Sequence, residues 1–172
     1  MILSIVDLKN SDLFYKAWSL YETSFPAIER RSLEEQKQIQ NDSRYKVHAY
    51  LDDKTFVGIV FYWDFDKFRF IEHFAVDSGF RGKSYGSKIL NSLLNSDKEV
   101  VLEIELINDE ISKKRLKFYE KFDFKVNDFK HYQVPFRQKQ ESLELLFLSH
   151  KRVLTNDEYE ELYTQMKSSL GV

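Results

Sequence analysis

Hydrophobic and polar positions follow one another along the chain with two different spacings, and each spacing predicts one kind of secondary structure. Some segments alternate apolar with polar residues or form a short apolar run, which is typical of strands. Polar residues such as Asp52-Asp53-Lys54 separate several of these segments, a pattern that indicates antiparallel hairpins. The predicted strands are residues 1–7, 45–51, 55–63, 68–76, 99–106, 129–135 and 143–150.

In other segments the apolar residues recur three and four positions apart, which predicts amphipathic helices. Ala17, Trp18 and Tyr21 fall on one face of such a segment, and Ser11 precedes it as a suitable N-cap residue. Pro26 breaks this pattern, so a loop follows the first helix. The predicted helices are residues 12–24, residues 33–41, a helix that begins near Tyr85, residues 110–122 and a last helix that begins at Thr155 with a capping box.

The order of these elements indicates the fold class. Helices follow the fourth and fifth strands while the remaining strands meander, so we expect an α/β fold of the mixed α+β kind. Its central sheet would be mixed and mostly antiparallel, with helices on both faces. No repeat, low-complexity segment or linker divides the sequence, and its length suits a single domain over residues 1–172.

The composition narrows the classes of partner. Hydrophobic residues make up 42% of the chain and charged residues 31%, so a folded core is expected rather than disorder. A formal net charge of −2 argues against a partner held mainly through phosphate neutralisation, and we expect no nucleic acid partner. No apolar stretch approaches the ~20 residues of a membrane span, and the first residues lack the features of a signal peptide. The expectation is a cytoplasmic protein without a membrane partner.

The cysteine and histidine content excludes several kinds of site. The chain has no cysteine, which rules out disulfides, thiolate catalysis and zinc sites built from cysteine. Its four histidines are scattered without the spacing of metal ligands, so no metal is expected. These histidines are His48, His73, His131 and His150.

The most informative segment is residues 75–90, AVDSGFRGKSYGSKIL, in which a buried strand runs through a loop into a helix. Gly82 and Gly86 allow the main chain to approach a ligand closely, and Arg81 and Lys83 add positive charge. The amides and the dipole of the helix N-terminus together favour a bound anion, for which a diphosphate is the natural candidate. An ordinary strand-to-helix turn with solvated basic residues is the alternative.

Two nucleotide-binding motifs fit this loop poorly. Gly82-Lys83-Ser84 matches the end of a Walker A motif, but that motif requires glycine at the position of Asp77. An acidic side chain facing a β-phosphate would be unfavourable, and the dinucleotide fingerprint G-x-G-x-x-G has no match here. A small P-loop nucleotide-binding protein therefore stays only as a disfavoured alternative.

Residues 81–86 read Arg-Gly-Lys-Ser-Tyr-Gly, which resembles the coenzyme A pyrophosphate loop of the GNAT acetyltransferases, Q/R-x-x-G-x-G/A. Ser84 is a departure, because the family usually has glycine there. The resemblance implies a GNAT fold with about six or seven strands, in which the fourth strand splays away from the fifth. It also implies acetyl-coenzyme A as the cosubstrate.

A second segment supports the same resemblance. Residues 108–126 are similar to the second cofactor segment of the family, with Asn108 after the fifth strand and Phe118-Tyr119-Glu120-Lys121 on the next helix. Asp123 replaces a glycine that is common in the family. The two segments occur in the expected order and separation, and the resemblance extends over residues 55–126.

The resemblance implies a set of cofactor-binding residues. The pantetheine arm would pair with main-chain groups of the fourth strand, and the amides of the following loop would hold the pyrophosphate. The residues assigned in this way are Phe74, Ala75, Val76, Arg81, Gly82, Lys83, Ser84, Tyr85, Gly86, Ser87 and Asn108.

Two side chains are candidates for catalysis. Tyr119 matches the family position that protonates the leaving thiolate, and a core aromatic residue is the alternative. Glu72 is the candidate general base, because it lies in an apolar strand where desolvation would raise the pKa of its carboxyl group. A salt-bridged carboxylate is the alternative for Glu72. His73, on the opposite strand face, is a second candidate base or a hydrogen-bonded structural histidine.

The function that follows is an N-acetyltransferase that moves the acetyl group of acetyl-coenzyme A to a primary amine by direct attack. The alternative from another class is a non-catalytic acyl-coenzyme A binding module on the same fold. The acceptor, a small molecule or a peptide, and the existence of a homodimer stay open. Glu103 and Glu105 on the fifth strand either favour a cationic acceptor or belong to a solvated strand face. Glu29, Arg30 and Arg31 are expected to be surface charges.

Overall fold

The computed structural model describes residues 2–171, so the first and last residues, including the start of the predicted strand 1–7, lie outside the described residues. Strands and helices follow one another broadly in the predicted order, and the mixed α/β class is confirmed. The described strands number eight rather than six or seven: β1 (Ser4–Asp7), β2 (Tyr45–Asp52), β3 (Thr55–Asp64), β4 (Phe68–Val76), β5 (Glu99–Glu105), β6 (Phe124–Val126), β7 (His131–Tyr132) and β8 (Glu144–His150). The α-helices are α1 (Phe14–Ser24), α2 (Leu33–Ile39), α3 (Tyr85–Leu94), α4 (Glu110–Glu120) and α5 (Asn156–Ser169).

The chain separates into two compact units. The first unit contains the residues up to Asp64 together with Ile71–Lys98, and the second contains Phe65–Phe70 and Glu99–Val172. Strand β4 begins in the second unit and ends in the first. Two predictions depend on how the two units combine: a single domain over residues 1–172, and a splay between the fourth and fifth strands. Both stay predictions.

In the first unit the strands follow the order β1-β2-β3-β4. The β2–β3 pair is antiparallel, as the predicted hairpin requires, and the β1–β2 pair is antiparallel as well. Asp53 and Lys54 in the β2–β3 turn both have positive φ, 44° and 70°, which suits the right-handed twist of a tight hairpin. Helix α1 packs on β3, where the Tyr21 and Phe61 rings lie 5.5 Å apart.

The helix starts follow capping chemistry only in part. Ser32 is the N-cap of α2 and Thr155 is the N-cap of α5, and each forms a capping box with the glutamate three residues later. Ser11 is not the N-cap of α1, because the helix begins after Leu13. The Ser11 hydroxyl instead accepts a hydrogen bond from the Leu13 amide, 3.2 Å away, within the preceding turn.

In the second unit the strands follow the order β5-β8-β6, with β7 also paired to β8. The predicted strand 129–135 is reduced to β7, and β6 was not predicted. Asn127 between β6 and β7 is buried, where its amide donates to Ser149 Oγ at 2.8 Å and accepts from the Leu154 amide at 2.7 Å. The Asn127 side chain therefore pairs a buried hydroxyl and a buried main-chain amide.

Candidate active site

The loop between β4 and α3 has the backbone shape that the glycine pattern predicts. A short 3₁₀ turn at Ser78–Phe80 is capped by the Asp77 carboxylate, which accepts a hydrogen bond from the Gly79 amide at 3.0 Å. Gly82 and Ser84 then adopt left-handed conformations, with φ of 72° and 66°. These two reversals turn the chain from the strand into the N-terminus of α3.

The first turn of α3 presents main-chain donors without acceptors. Ser84 occupies the N-cap position, but its side chain makes no capping hydrogen bond. The first amide to bond back is that of Lys88, which donates to the Ser84 carbonyl at 3.2 Å. Within residues 2–171, the amides of Tyr85, Gly86 and Ser87 have no acceptor. Unpaired amides at the positive end of a helix dipole are suited to hold an anion.

Two basic side chains belong to the loop that precedes these amides. The Arg81 Nε atom donates to the Val76 carbonyl at 3.1 Å, which places the guanidinium at the end of β4. Lys83 Nζ donates to the Gly79 carbonyl at 3.1 Å. Both side chains are exposed, and Arg81 also borders a groove of about 490 Å³. The groove is lined by Lys16, Ser19, Leu20, Thr23, Asp77, Ser78 and Arg81.

The Tyr85 side chain fixes the start of α3 to the β2–β3 hairpin. Its hydroxyl donates to Asp52 Oδ2 at 2.5 Å, and its ring meets Phe80 edge-on at 5.4 Å. The hydrogen bond to Asp52 raises the pKa of the Tyr85 phenol. The buried ring therefore anchors the loop, and the main-chain amide is the part of Tyr85 that is available to a ligand.

The end of β4 is backed by a glycine. A Cβ atom at Gly58 on β3 would lie 2.7 Å from the Ala75 carbonyl oxygen and 3.2 Å from Ile89 on α3. Only glycine leaves β3, β4 and α3 this close together. At Glu72 the side chain is 2% exposed while the residue as a whole has intermediate exposure, so its accessible surface belongs mainly to the main chain.

The Glu72 carboxylate is surrounded by donors. Arg31 makes a two-pronged ion pair with it, Nη1 to Oε1 and Nη2 to Oε2 at 3.1 Å. Trp63 Nε1 donates to Oε2 at 2.9 Å, and the Tyr45 hydroxyl donates to Oε1 at 3.3 Å. The Gln36 amide in turn donates to the Tyr45 hydroxyl at 3.1 Å. A carboxylate held by several donors in this way is fully satisfied.

These contacts contradict the expected raised pKa at Glu72. Burial alone would raise the pKa of the carboxyl group, but the Arg31 charge, hydrogen bonds and the neighbouring His73 lower it well below its ordinary value of 4.5. A carboxylate with a lowered pKa is a weaker proton acceptor near neutral pH. The role of Glu72 as general base stays a prediction, and its surroundings fit the salt-bridged alternative. Arg31, expected on the surface, is 3% exposed.

His73 has the surroundings of a structural histidine. Its ring is 3% exposed and lies 4.7 Å from both the Tyr21 and Phe25 rings. Nε2 lies 2.7 Å from the Glu29 carbonyl oxygen, so this nitrogen donates. Although neighbouring strand residues normally point to opposite faces, Nδ1 lies 3.3 Å from Glu72 Oε1.

Tyr119 and Asn108 belong to the second unit. The Tyr119 ring packs edge-on against Phe118 and Phe124, with centroids 5.2 and 5.6 Å away. It is 8% exposed, and burial raises the pKa of its phenol to about 12. Asn108 is exposed, and its main-chain N–H donates to Ser112 Oγ at 3.1 Å at the start of α4.

Glu103 and Glu105, the two glutamates considered for an acceptor pocket, are both paired. Glu103, with a side chain that is 11% exposed, pairs with the buried His131, whose Nδ1 lies 2.6 Å from the Tyr159 hydroxyl. Glu105 pairs with Arg115 on α4. Sequence reasoning missed His131 as a partner of Glu103, and it missed the partners of Glu72. No local sequence signal joins residues so far apart along the chain.

Replacing Ser84 with glycine should raise the free energy of unfolding by about 0.5–1 kcal/mol, because a left-handed non-glycine residue costs about 1–2 kcal/mol and part of the gain is offset by unfolded-chain entropy. Urea unfolding measures the change. The matched control is Ser87→Gly within helix α3, which should lower stability by about 0.5–1 kcal/mol. Equal effects of the two substitutions would contradict this account.

Two further kinds of feature are absent from the described residues. No helix within residues 2–171 combines the length and apolar character of a membrane span. The same residues contain no group of three or more side chains from histidine, cysteine, aspartate and glutamate that is arranged to hold a metal ion.

Comparison of the sequence with known proteins identifies relatives of this chain. A family model described as the acetyltransferase (GNAT) family matches residues 11–124. YjbC of Bacillus subtilis (strain 168), which is provisionally named an acetyltransferase, is 33% identical over 69 residues. That match covers 39% of this chain and 36% of YjbC, so the chain matches about a third of the length of that relative.

Solved structures show the same fold. A GNAT-family protein from Bacteroides thetaiotaomicron, provisionally named an acetyltransferase, superposes with a TM-score of 0.89 at 26% identity, over 100% of this chain and 99% of that one. Naa50 of Arabidopsis thaliana, in complex with the bisubstrate analogue CoA-Ac-MVNAL, has a TM-score of 0.61 at 20% identity, over 87% and 98% of the chains. These matches confirm the expected GNAT fold. Because the family model covers well over half of the sequence, the chain belongs to the acetyltransferase (GNAT) family.

Proposed function

We propose that this protein transfers the acetyl group of acetyl-coenzyme A to a primary amine. The observation that carries the proposal is the set of unpaired amides of Tyr85, Gly86 and Ser87 behind the left-handed turn at Gly82 and Ser84. These amides are suited to the pyrophosphate of the cofactor, and the preceding loop adds two exposed basic side chains, Arg81 and Lys83. By the family resemblance, the pantetheine arm is proposed to pair with main-chain groups of β4 at Phe74, Ala75 and Val76.

The reaction we propose is direct transfer. A neutral amine attacks the thioester carbonyl, a C–N bond forms, and the C–S bond breaks as coenzyme A leaves. The nitrogen loses one proton and the sulfur gains one, so the step is balanced without a further reactant. Holding the two substrates together supplies a large share of the acceleration, because it replaces a bimolecular encounter with a positioned one.

Tyr119 is proposed as the group that assists the leaving sulfur. With a pKa of about 12, its phenol keeps its proton throughout the neutral range and offers an O–H donor. A thiol has a pKa near 8.5, so complete transfer of the phenolic proton to a thiolate is uphill. Tyr119 therefore acts mainly by donating a hydrogen bond to the sulfur as negative charge develops there. Asn108 at the start of α4 is proposed as a further cofactor contact, on the family resemblance.

Replacing Tyr119 with phenylalanine should lower kcat roughly 100-fold, since removing one hydrogen-bond donor to developing negative charge costs about 10²–10³-fold. The dissociation constant of acetyl-coenzyme A should change less than threefold. Thiol release measures the first quantity and calorimetry the second. Phe118→Leu, which removes a neighbouring ring and keeps the hydroxyl, is the control. Unchanged turnover in Tyr119→Phe would remove Tyr119 from this role.

The acceptor is proposed as an amine of a small molecule or a peptide. Naa50 binds an analogue in which coenzyme A is joined to a peptide, which supports a peptide acceptor as one member of this set. The net charge of −2 supports a partner other than nucleic acid, and the cysteine-free sequence is compatible with the cytoplasm.

Two measurements test the function. Calorimetry with acetyl-coenzyme A should show binding, and ATP at the same concentration should give none. Thiol release should then be followed with an alanine-initiated peptide, Nα-acetyl-lysine, spermidine and glucosamine. Binding without thiol release from any of them would favour the non-catalytic acyl-coenzyme A binding module, which the paired state of Glu72 also supports. Absence of binding would overturn both functions.

A further inference from the structure

The segment between α1 and α2 is tied to β4 by side chains that are almost completely buried. This segment, Phe25–Arg31, contains Pro26 and a 3₁₀ turn at Ala27–Glu29. A surface loop of this composition would normally be held by few contacts. Here three separate interactions hold its last residues, and each involves a buried partner in the first unit.

Two of these interactions fix the main chain. His73 Nε2 on β4 donates to the Glu29 carbonyl at 2.7 Å. The Arg31 amide donates to the hydroxyl of Tyr21 on α1 at 2.7 Å. The segment is therefore bonded to a helix on one side and to a strand on the other.

The third interaction is the ion pair between Arg31 and Glu72. Both side chains are 2% exposed, and the Arg31 guanidinium also lies 5.4 Å from the centre of the Tyr45 ring. Such a buried pair is costly to desolvate, and loss of one partner leaves an uncompensated charge. The pair therefore fixes one arrangement of the segment against β4.

The position of the Arg31–Glu72 pair on β4 relates the segment to the proposed cofactor site. The proposed pyrophosphate site follows the end of β4, so the pantetheine arm would run back along the strand toward Glu72. From Val76 to Glu72 the strand covers about 13 Å. The acetyl end of the cofactor would then lie next to the Phe25–Arg31 segment, on the side from which an acceptor amine must approach.

We propose that Arg31 and Glu72 are positioning residues, which hold the Phe25–Arg31 segment in place as a wall of the acceptor site. Glu72 in this arrangement does not accept the proton of the amine, because its oxygens are occupied by Arg31, Trp63 and Tyr45. The part of the proposal that concerns catalysis rests on the proposed acetyl transfer. The contacts that hold the segment against β4 do not depend on any activity.

The first test is hydrogen exchange of the main-chain amides in residues 25–31, which needs no substrate. Glu72→Gln and Arg31→Met should each raise the exchange rate there at least tenfold. Glu22→Gln, which removes the more exposed ion pair between α1 and Arg30 of the segment, should leave the exchange rate unchanged. Unchanged exchange in Glu72→Gln overturns the proposal, whatever the activity of the protein.

The double variant Arg31→Met/Glu72→Met guards against variants that fail to fold, because it buries no unpaired charge. Slow exchange in the double variant would show that apolar packing at these two positions can also hold the segment. Fast exchange would show that the segment is held by the ion pair itself. Both results support the proposal when the single variants exchange fast.

The second test separates positioning from base catalysis, with the amine that gives the fastest thiol release. Positioning predicts that Glu72→Gln and Arg31→Met each raise the KM of that amine at least tenfold, with kcat changed less than threefold. Acetyl-coenzyme A affinity should change less than threefold. If Glu72→Gln alone turned over at least 100-fold more slowly and lost its pH dependence, Glu72 would be a base and the proposal would be overturned. Absence of thiol release in the unmodified protein would count against the proposed function and leave the exchange test standing.

Discussion

Replacing Gly86 with glutamate should weaken the binding of acetyl-coenzyme A at least 100-fold while leaving the fold as stable as before or slightly more so. Gly86 is the second residue of α3, beside the unpaired amides of Tyr85 and Ser87. A carboxylate at this place would take the position of the bound phosphate and repel it. The same carboxylate favours the helix N-terminus, and loss of a helical glycine adds about 0.5–1 kcal/mol of stability. Calorimetry and urea unfolding measure the two effects.

The matched control for this substitution is Asn91→Glu. Asn91 is exposed on the same helix, so the change in charge is identical but lies away from the amides. This variant should bind acetyl-coenzyme A within threefold of the unmodified protein. If Gly86→Glu binds equally well, the amides of α3 are not the phosphate site, and the proposed function loses its main support.

Replacing Gly58 with alanine should lower the free energy of unfolding by about 1–3 kcal/mol and weaken acetyl-coenzyme A binding about tenfold. The added methyl group would lie 2.7 Å from the Ala75 carbonyl oxygen, and main chain cannot rotate away as a long side chain can. Strand β4 would have to move at the place where the pantetheine arm is proposed to pair. Urea unfolding and calorimetry on the same preparation report both losses.

Gly79→Ala is the control for this second prediction. A Cβ atom at Gly79 meets only the Asp77 carboxylate, at an ordinary contact distance of 3.4 Å. Its stability and affinity should both stay close to those of the unmodified protein. A Gly58→Ala variant that keeps full stability and affinity would mean that β3 and β4 tolerate separation, contrary to the packing described above.

The elements that the sequence predicts well are those with a strong local pattern. Strands β2, β3 and β4 are long, and short polar turns separate them from one another, so their bounds agree with the predicted ones within one or two residues. Helix α5 begins with a capping box that is visible in four consecutive letters. In each case neighbouring residues along the chain contain the information that determines the element.

The elements that sequence analysis missed depend on distant contacts. Strand β6 has three residues, too few for a periodicity, and it exists because it pairs with β8. The predicted strand 129–135 shortens to β7, while Asn127 bonds main-chain groups that lie far along the chain. Ile111, an apolar residue of α4, is 66% exposed, so the local pattern of α4 does not determine which of its apolar residues are buried.

The candidate site divides in the same way. The shape of the cofactor loop follows from its glycines and from the start of α3, which are local features. The environment of Glu72 does not follow from local features, because Arg31, Tyr45 and Trp63 approach it from three other parts of the chain. Burial alone would raise the pKa of the Glu72 carboxyl group. The pKa is lowered instead because of the partners that surround it, above all Arg31.

The buried pair of Arg31 and Glu72 also affects how the protein responds to acid. Glu72 keeps its charge in the folded chain at pH values where the unfolded chain takes up a proton, because the pKa of Glu72 is lowered from its ordinary value of 4.5. The stability that the pair contributes is complete above about pH 4.5 and is lost as the pH falls toward the folded pKa, by up to about 1.4 kcal/mol per pH unit. Acid therefore favours unfolding through proton uptake at a carboxylate that solvent hardly reaches in the folded chain.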